Sequence, residues 1–282
     1  MTSASHRVVT VQSLDGGERE DSVVVERALT IRVRGRSDEA QVLATTMRTP
    51  GDDLALAVGL CFSEGLLGGV SDLVDVQRCP DATPDERDDV VLVTIDRSHV
   101  DLGHLHRHGV MTSACGLCGR TLLEDIVSRA RVGSSPVVIS PEVLQELPAS
   151  LRRAQHVFGR TGGLHAVATV DSTGFMSELR EDVGRHNAFD KVVGRAVRAD
   201  RTPLDGQVVV LSGRASYELL AKAAIAGAPV VAAIGAPSSL AIALAESVGI
   251  TLIGFLRPDR GNVYTHPARV ARTHARGSSV TS

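Results

Sequence analysis

"QVVVLSGRASYELLAKAAIAGAPVVAAIGAPSSLAIALAESVGITLIGFLRPDRGNVY", residues 207–264, alternates short β-branched runs with amphipathic stretches. "VVVL", "PVVAA" and "ITLIGFL" are continuous apolar runs of strand length, the pattern of strands buried on both faces rather than of an exposed hairpin. The stretches between them carry helical spacing. The segment therefore predicts strand, helix, strand, helix, strand, an α/β sheet with crossover helices. Upstream, "LHAVATVD" (164–171) and "FMSELREDV" (175–183) read as further strands of a mixed sheet, and "GRHNAFDKVVGRAVRAD" (184–200) as a helix.

Towards the N-terminus the pattern changes. "VVTVQ", "DSVVVERALTIRVRG" and "AQVLATTM" are β-rich runs broken by polar turns, and "VVLVTID" (90–96) is another strand. "TPGDDLALAVGLCFSEGLL" has Thr49, Pro50 and Asp52 ahead of apolar residues at helical spacing, a normal helix start. Cys61 falls on that helix as a packing residue, and Cys79 reads as a bystander in the loop "CPDATPDERDD". "SPEVLQELPASLRRAQHVFGRTGGL" is one more helical stretch, closed by Gly162-Gly163. The expected organisation is a smaller β-rich N-terminal lobe with one helix over 1–110, a CxxC loop and helix over 111–135, an α/β lobe over 136–266 and a frayed tail over 267–282.

The bulk numbers exclude several function classes. With 282 residues, 43% hydrophobic and 22% charged, the chain can bury a substantial core. A net charge of −3 gives no electrostatic case for broad nucleic-acid or membrane binding, and the absence of Trp argues against a base-stacking platform. No apolar run approaches the roughly 20 residues of a membrane span, and the N-terminus lacks the apolar core of a signal peptide. A cytoplasmic location follows as an expectation, and with it reduced thiols instead of a disulfide framework.

The chemistry concentrates in four places. "TSACGLCGR", Thr112 to Arg120, sets Cys115 and Cys118 three apart with a glycine after each. A structural zinc site wants four ligands, and this pair has no partner pair, although His104, His106 and His108 could complete one. A zinc nucleobase deaminase needs H-x-E before P-C-x-x-C, which this chain lacks. Cys115 lies at or before the start of an amphipathic helix whose apolar face is Leu122, Leu123, Ile126 and Val127; Cys118 would sit about one turn in. A helix N-terminus lowers a thiol's pKa. Sulfur or redox carriage ranks ahead of metal, and spacing does not separate sulfur from electrons.

The second and third places are the turns after consecutive strands, Ser212-Gly213-Arg214 and Gly235 to Ser239 with Ser238, each opening a helix where a phosphate could bind. They adjoin Phe255-Leu256-Arg257-Pro258-Asp259-Arg260, whose arginines suit a diphosphate and whose Asp259 suits a purine or sugar donor. Ordinary turn chemistry is the competing reading. The fourth is "EDVGRHNAFDKVVG", dense in polar groups around His186. It reads equally as a solvated helix start with i,i+4 pairs (Asn187–Lys191, His186–Asp190) or as an active-site wall. His165 in "RTGGLHAV" stands just inside a strand.

Taken together, "TSACGLCG", "RTGGLHAV", "EDVGRHNAFDKVVG", "SGRASYEL", "GAPSSLA" and "GFLRPDRGNVYTH" resemble the formate dehydrogenase accessory sulfurtransferase family, FdhD, in the family's order from about Met47 to His266. The resemblance implies a cytidine-deaminase-like fold without zinc chemistry, a dimer, and no permanently bound metal. It implies that sulfur from a cysteine desulfurase is held as a persulfide on Cys115, with Cys118 as its partner. The recipient would be the molybdenum bis(molybdopterin guanine dinucleotide) cofactor of formate dehydrogenase, held by the Phe255–Arg260 segment. Ala114 and Leu117 depart slightly from the family pattern. Cofactor chaperoning without sulfur transfer, or a zinc-structured scaffold, are the alternatives.

Overall fold

The computed structural model describes residues 5–102, 118–133 and 137–271. The predicted alternation after residue 164 forms a six-stranded sheet in the order β12-β11-β10-β9-β7-β8. Its strands are β7 (His165–Val170), β8 (Met176–Asp182), β9 (Val208–Leu211), β10 (Val230–Ala233), β11 (Thr251–Arg257) and β12 (Arg260–Val263). The continuous apolar runs β9, β10 and β11 pair in parallel at the centre, as burial on both faces requires, while β7 and β12 close them antiparallel. Every residue of β9 and β10 is buried.

The N-terminal runs build two further sheets. β1 (His6–Gln12) and β2 (Glu18–Val24) make a separate two-stranded ribbon. β3 (Arg27–Arg34), β4 (Gln41–Arg48), β5 (Leu73–Arg78) and β6 (Val90–Ile95) make a four-stranded sheet in the order β4-β3-β6-β5. Between β4 and β5 lies α1 (Asp53–Ser63). At its start, Arg48 is fully buried and donates to both oxygens of Asp53 at 3.0 and 2.9 Å. Burial alone would raise the Asp53 carboxyl; Arg48 and Arg78 hold it below the usual range instead.

The other helices are α2 (Cys118–Arg129), α3 (Pro141–Ala154), α4 (His156–Thr161), α5 (Arg185–Arg198), α6 (Tyr217–Ile225) and α7 (Ser239–Val248). One hydrophobic core runs from Leu29 and Val93 of the four-stranded sheet through α1 and α5 to Val209 and Val231 of the larger sheet. At its centre α1 and α5 touch backbone to backbone. A Cβ on Gly59 would lie 1.9 Å from the Asp190 carbonyl oxygen, and one on Gly194 would lie 1.8 Å from that of Ala55. Glycine at these two helix-interior positions is therefore a packing requirement that outweighs its poor helix propensity of about 1 kcal/mol.

Several expectations change. The stretch 140–164 is two helices, because Gln155 breaks it and Glu181 of β8 accepts from the Val157 and Phe158 N–H groups at 3.0 and 2.8 Å, capping α4. Cys79 is buried with Val90 and Leu92 and donates its N–H to Val90, so it is a packing residue, as Cys61 is. On α2, Ile126 is buried but Val127 is 41% exposed, which narrows that helix's apolar face. The chain past His266 does not fray at once: Val270 bridges Ile139, and the Ala271 N–H donates to the Ile139 carbonyl.

Candidate functional site

The three turns singled out in the sequence converge at the carboxyl ends of β9, β10 and β11. Main-chain bonds zip them together: Gly235 N–H to Gly213 O at 2.9 Å, Ala215 N–H to Ala236 O at 3.1 Å, Ser238 N–H to Ala215 O at 3.0 Å and Phe255 N–H to Gly235 O at 3.0 Å. The glycines permit this. A Cβ on Gly235 would stand 2.7 Å from the Arg214 nitrogen, a collision with backbone that nothing could relieve cheaply. The result is a shallow rim of small residues over two helix starts, the general form of an anion cradle.

Within that rim the side chains have distinct tasks. Ser212 accepts from the Ala166 N–H at 2.8 Å, tying β9 to β7. Ser238 accepts from Ala241 N–H at 3.2 Å and caps α7. The side chain of Ser216, at the N-cap of α6, makes no cap bond. Arg214 is exposed at the rim.

The Phe255–Arg260 segment is a hairpin end. β11 and β12 pair antiparallel, with Arg257 opposite Arg260 and Pro258-Asp259 as the exposed turn between them. A register shift after Gly254 puts Phe255 at φ 52 with 43% of its surface exposed. A bulky residue in the left-handed region is strained, and such strain clusters at functional sites. Leu256 is in the core, and Arg257 spends Nη1 on the carbonyls of Ile234 (2.6 Å) and Leu256 (2.8 Å). Arg257 thus braces the end of β10, and Arg260 and Asp259 are the exposed charges of the segment.

The polar helix start of α5 divides by face. Asn187, Asp190 and Lys191, at i, i+3 and i+4, turn inward and are buried. Lys191 Nζ meets Asp182 at 2.6 Å and donates to the Thr49 carbonyl at 2.9 Å. Asn187 Nδ2 donates to Met47 O and to Asp182. Asp190 accepts from Ser63 Oγ at 2.8 Å and from Lys222 Nζ at 2.7 and 2.8 Å. These bonds replace the i,i+4 pairs expected of a solvated helix and stitch α5 to β4, α1, β8 and α6.

Arg185 and His186 turn the other way, towards the start of α6. The Arg185 Nε and His186 Nε2 atoms are buried and have no hydrogen-bond partner among the described residues, so they hold donor and acceptor capacity that a ligand could use. Burial, then the charges of Arg185 and Lys222, push the His186 imidazole below its ordinary range. His165, against which Gly213 lies, is lowered likewise by burial and then by Arg185 and Arg214. Two neutral imidazoles and two guanidiniums thus stand between β7, α5 and the Ser212–Arg214 turn. This second cluster was visible in the sequence only as polar density.

The cysteine-bearing helix reaches the same end of the sheet. Near its C-terminus the Arg131 N–H donates to Ala224 O at 2.9 Å, close to the end of α6. Further back, Asp125 stands near enough to Tyr217, the first residue of α6, that burial and then the charges of Asp125 and Glu218 push its hydroxyl up to about 12. α2 therefore runs in the same direction as α6. Cys118 lies roughly 10 Å beyond Asp125 at 1.5 Å per residue, past the start of α6, towards the turns. Cys118 is the first residue of α2 that the structure describes. Cys115, with His104, His106 and His108, lies outside the described residues; among those described, no group of three metal-ligating side chains comes together, and no helix is long and apolar enough to cross a membrane.

The FdhD/NarQ family matches residues 24–271. The chain belongs to that family. It is 44% identical over 277 residues to a sulfur carrier protein FdhD of Streptomyces coelicolor, covering 96% of each chain. It is 42% identical over 280 residues to one of Mycobacterium tuberculosis, covering 95% of this chain and 99% of that one. Among solved structures, one described as a formate dehydrogenase accessory protein from Desulfotalea psychrophila superposes with a TM-score of 0.71 at 21% identity, over 94% of this chain and 98% of that one. That likeness extends the family assignment to the fold, an α/β architecture with a β-rich N-terminal part.

Proposed function

We propose that this chain is a sulfur carrier for a molybdenum cofactor, acting as a sulfurtransferase through Cys115. The Cys115 thiolate attacks the terminal sulfur of a cysteine desulfurase persulfide; the desulfurase leaves as its free thiolate, and Cys115–S–SH remains. Cys118 then attacks the inner sulfur, forming a Cys115–Cys118 disulfide as hydrosulfide departs to the acceptor. The acceptor, here a substrate, is the bis(molybdopterin guanine dinucleotide) cofactor destined for formate dehydrogenase. Its diphosphates suit the rim of Ser212, Gly213, Arg214, Gly235 and Ser238, with Phe255, Asp259 and Arg260 beside it and Arg257 and Leu256 fixing the hairpin. His165 and His186, beside the Ser212–Arg214 turn, would contact the same cofactor.

The observation that supports this reading is the parallel course of α2 and α6, which puts the N-terminal end of the described part of α2, Cys118, on the side where α6 begins. A second observation supports it. Cys61 and Cys79 are buried, and burial drives the Cys61 thiol far above its ordinary range, so neither suits a carrier that must meet a partner protein. The names of the relatives agree. We further infer a cytoplasmic homodimer, a deaminase-like mixed sheet, and lobes divided near residues 110 and 135.

The test is the intact mass of the reduced protein after incubation with a cysteine desulfurase and cysteine. One added sulfur, removed by thiol reductant and absent from Cys115→Ala, is the expected result. Full loading of Cys115→Ala overturns the assignment. Zinc in the untreated protein with no sulfur gain would instead favour a metal clamp.

A further inference from the structure

A cavity of about 280 Å³ opens beside the amino end of β9, whereas the turns of the candidate site follow the carboxyl ends of the strands. Its origin is an irregularity in the edge pair β7–β8. Thr169 pairs with Glu178 and Val170 with Met176, so Ser177 is an extra residue in β8, a β-bulge. Successive residues of a regular strand face opposite ways. Here Ser177 and Glu178 both line the cavity. The Ser177 hydroxyl lies 2.9 Å from Thr169 Oγ1 and 3.0 Å from Gln207 Oε1, and the Gln207 amide nitrogen keeps its donors unused among the described residues. Val192 and Ala196 of α5 supply an apolar wall together with Leu204. The segment that closes the cavity is fixed in advance. The Arg201 N–H donates to Ala196 O at 2.8 Å, the Leu204 N–H to Ala226 O at 2.7 Å and the Gln207 N–H to Leu204 O at 3.2 Å.

The charges at the mouth are unequally engaged. Glu178 takes its short ion pair from Arg180 at 2.6 Å, and Arg180 Nε also meets Asp52 at 3.1 Å. Arg201 and Arg195 come no nearer to Glu178 than 3.6 and 3.8 Å, and Arg195 no nearer to Asp52 than 4.0 Å, all beyond hydrogen-bond reach. Both guanidiniums are about half-exposed and keep donors for an oxyanion. Asp205, exposed and without an ion pair among the described residues, is a further acceptor in the lining. Its charge disfavours an anion that has nothing to donate, so the ligand that fits carries hydroxyl groups as well as an anionic head.

We propose that this cavity is a second small-molecule site, for a hydroxylated organic anion. The anionic head lies on Arg201 and Arg195, the hydroxyls on Gln207 and Asp205, and the carbon skeleton against Val192, Ala196 and Leu204. The volume, just below the roughly 300–1,000 Å³ of sites for drug-sized ligands, sets the ligand at metabolite size. Val192 and Ala196 belong to the helix whose first turn presents Arg185 and His186. A ligand here therefore bears on the candidate site through α5 without competing for it.

The experiment follows the backbone amide NMR signals of the full reduced chain during titration with citrate, with glycerol 3-phosphate and, as an uncharged control, with glycerol. At least one anion should shift the amides of Ser177, Leu204 and Gln207 saturably at millimolar concentration, and the tighter of the two identifies the head as carboxylate or phosphate. Glycerol should bind on the order of tenfold more weakly, and Arg195→Gln/Arg201→Gln should cost the anion a similar factor. Glu178 keeps Arg180 in that variant, so its melting curve should be unchanged. Gln207→Leu should weaken the anion and glycerol alike. Saturating guanosine diphosphate should leave the titration as it was. Shifts confined to Gly213 and Gly235 and suppressed by guanosine diphosphate would put the anions on the rim and overturn the second site. Full affinity in the double arginine variant, or an equal response to glycerol, would overturn the anionic class. No saturable shift with either anion would overturn the proposal outright, and none of these results bears on sulfur loading.

Discussion

Lys191 is the residue on which the two readings of the "GRHNAFDK" motif part. Its ammonium is 3% exposed and sits 2.6 Å from the fully buried Asp182 carboxylate, with the Thr49 carbonyl as a further acceptor at 2.9 Å. At an effective dielectric near 20, charges that close attract by about 6 kcal/mol, before desolvation of both groups is subtracted. Lys191→Met removes the cation while leaving the carboxylate in place. Asp182 then keeps the N–H groups of Thr49 and Gly184 and the Asn187 amide, at 3.2, 2.8 and 3.1 Å, as partners for an uncompensated charge. Breaking a buried pair from one side costs about 3–5 kcal/mol, a large share of the roughly 5–15 kcal/mol that holds a native protein. For a chain of this size the melting temperature should fall by about 10 °C.

Urea and thermal melts of Lys191→Met, Asp182→Asn and the double variant close a thermodynamic cycle. The double variant should be more stable than Lys191→Met, because no buried charge is left unpaired. Guanosine diphosphate affinity, measured by calorimetry well below the melting point, should change little in Lys191→Met. A variant that melts like the wild type yet loses nucleotide affinity would show that Lys191 reaches the ligand, and the stitching argument would fail.

Two further outcomes follow from the site. Phe255→Gly should raise stability by about 1 kcal/mol, because glycine occupies φ 52 without strain, while weakening guanosine diphosphate binding; unchanged binding would make the exposed ring a bystander. His186, lowered first by burial, should titrate below its usual value of about 6.5 in a proton NMR experiment. The neutral form is favoured in the fold, so its stabilisation is complete above that value and is lost as pH falls through the folded pKa. His186→Gln should flatten that acid loss; a midpoint above 6.5 would contradict the burial argument.

The strands were legible because their burial leaves a local mark. "VVVL" and "PVVAA" can only be central strands once helices flank them, and the glycines after them are where the backbone must come close. What stayed hidden depends on partners distant in sequence. Nothing near Gln155 shows that Glu181 will cap a second helix there. Nothing near Gly59 and Gly194 shows that each is opposed by the other helix's carbonyl, although a glycine inside a helix is itself a signal. Arg257 looks like an anion ligand in "FLRPDR" because its carbonyl acceptors, above all Ile234, lie on the neighbouring strand or within its own main chain. The polar residues of α5 show the same limit: Asn187, Asp190 and Lys191 repeat at i, i+3 and i+4, but His186 also stands four before Asp190, and which of them turn inward shows only once Met47, Ser63, Asp182 and Lys222 are in place around them.

That sorting bears on how the described start of α2 and the turns at the carboxyl ends of the strands are held in register. Ser63, the last residue of α1, accepts at its carbonyl from Arg129 of α2 at 2.9 Å and donates its hydroxyl to Asp190 of α5 at 2.8 Å. Asp190 in turn holds Lys222 of α6. Arg131 lies 5.1 Å from the Phe62 ring centre and adds a cation–π contact at the same place. Four helices are therefore clamped at one junction: the base of the cysteine-bearing helix, the glycine-packed pair α1 and α5, and the helix that begins at the Ser212–Arg214 turn. A buried charged junction of this kind is poor as a source of net stability but strong in specifying one geometry, since each displaced partner leaves a charge unpaired. Its consequence here is that α2 cannot shift along α6 without breaking the Ser63–Arg129 bond and the Arg131–Ala224 main-chain bond together. The distance from Cys118 to the strand ends is thereby a property of the buried polar network, and the residues that set it are the ones the sequence displays as if they were an active site.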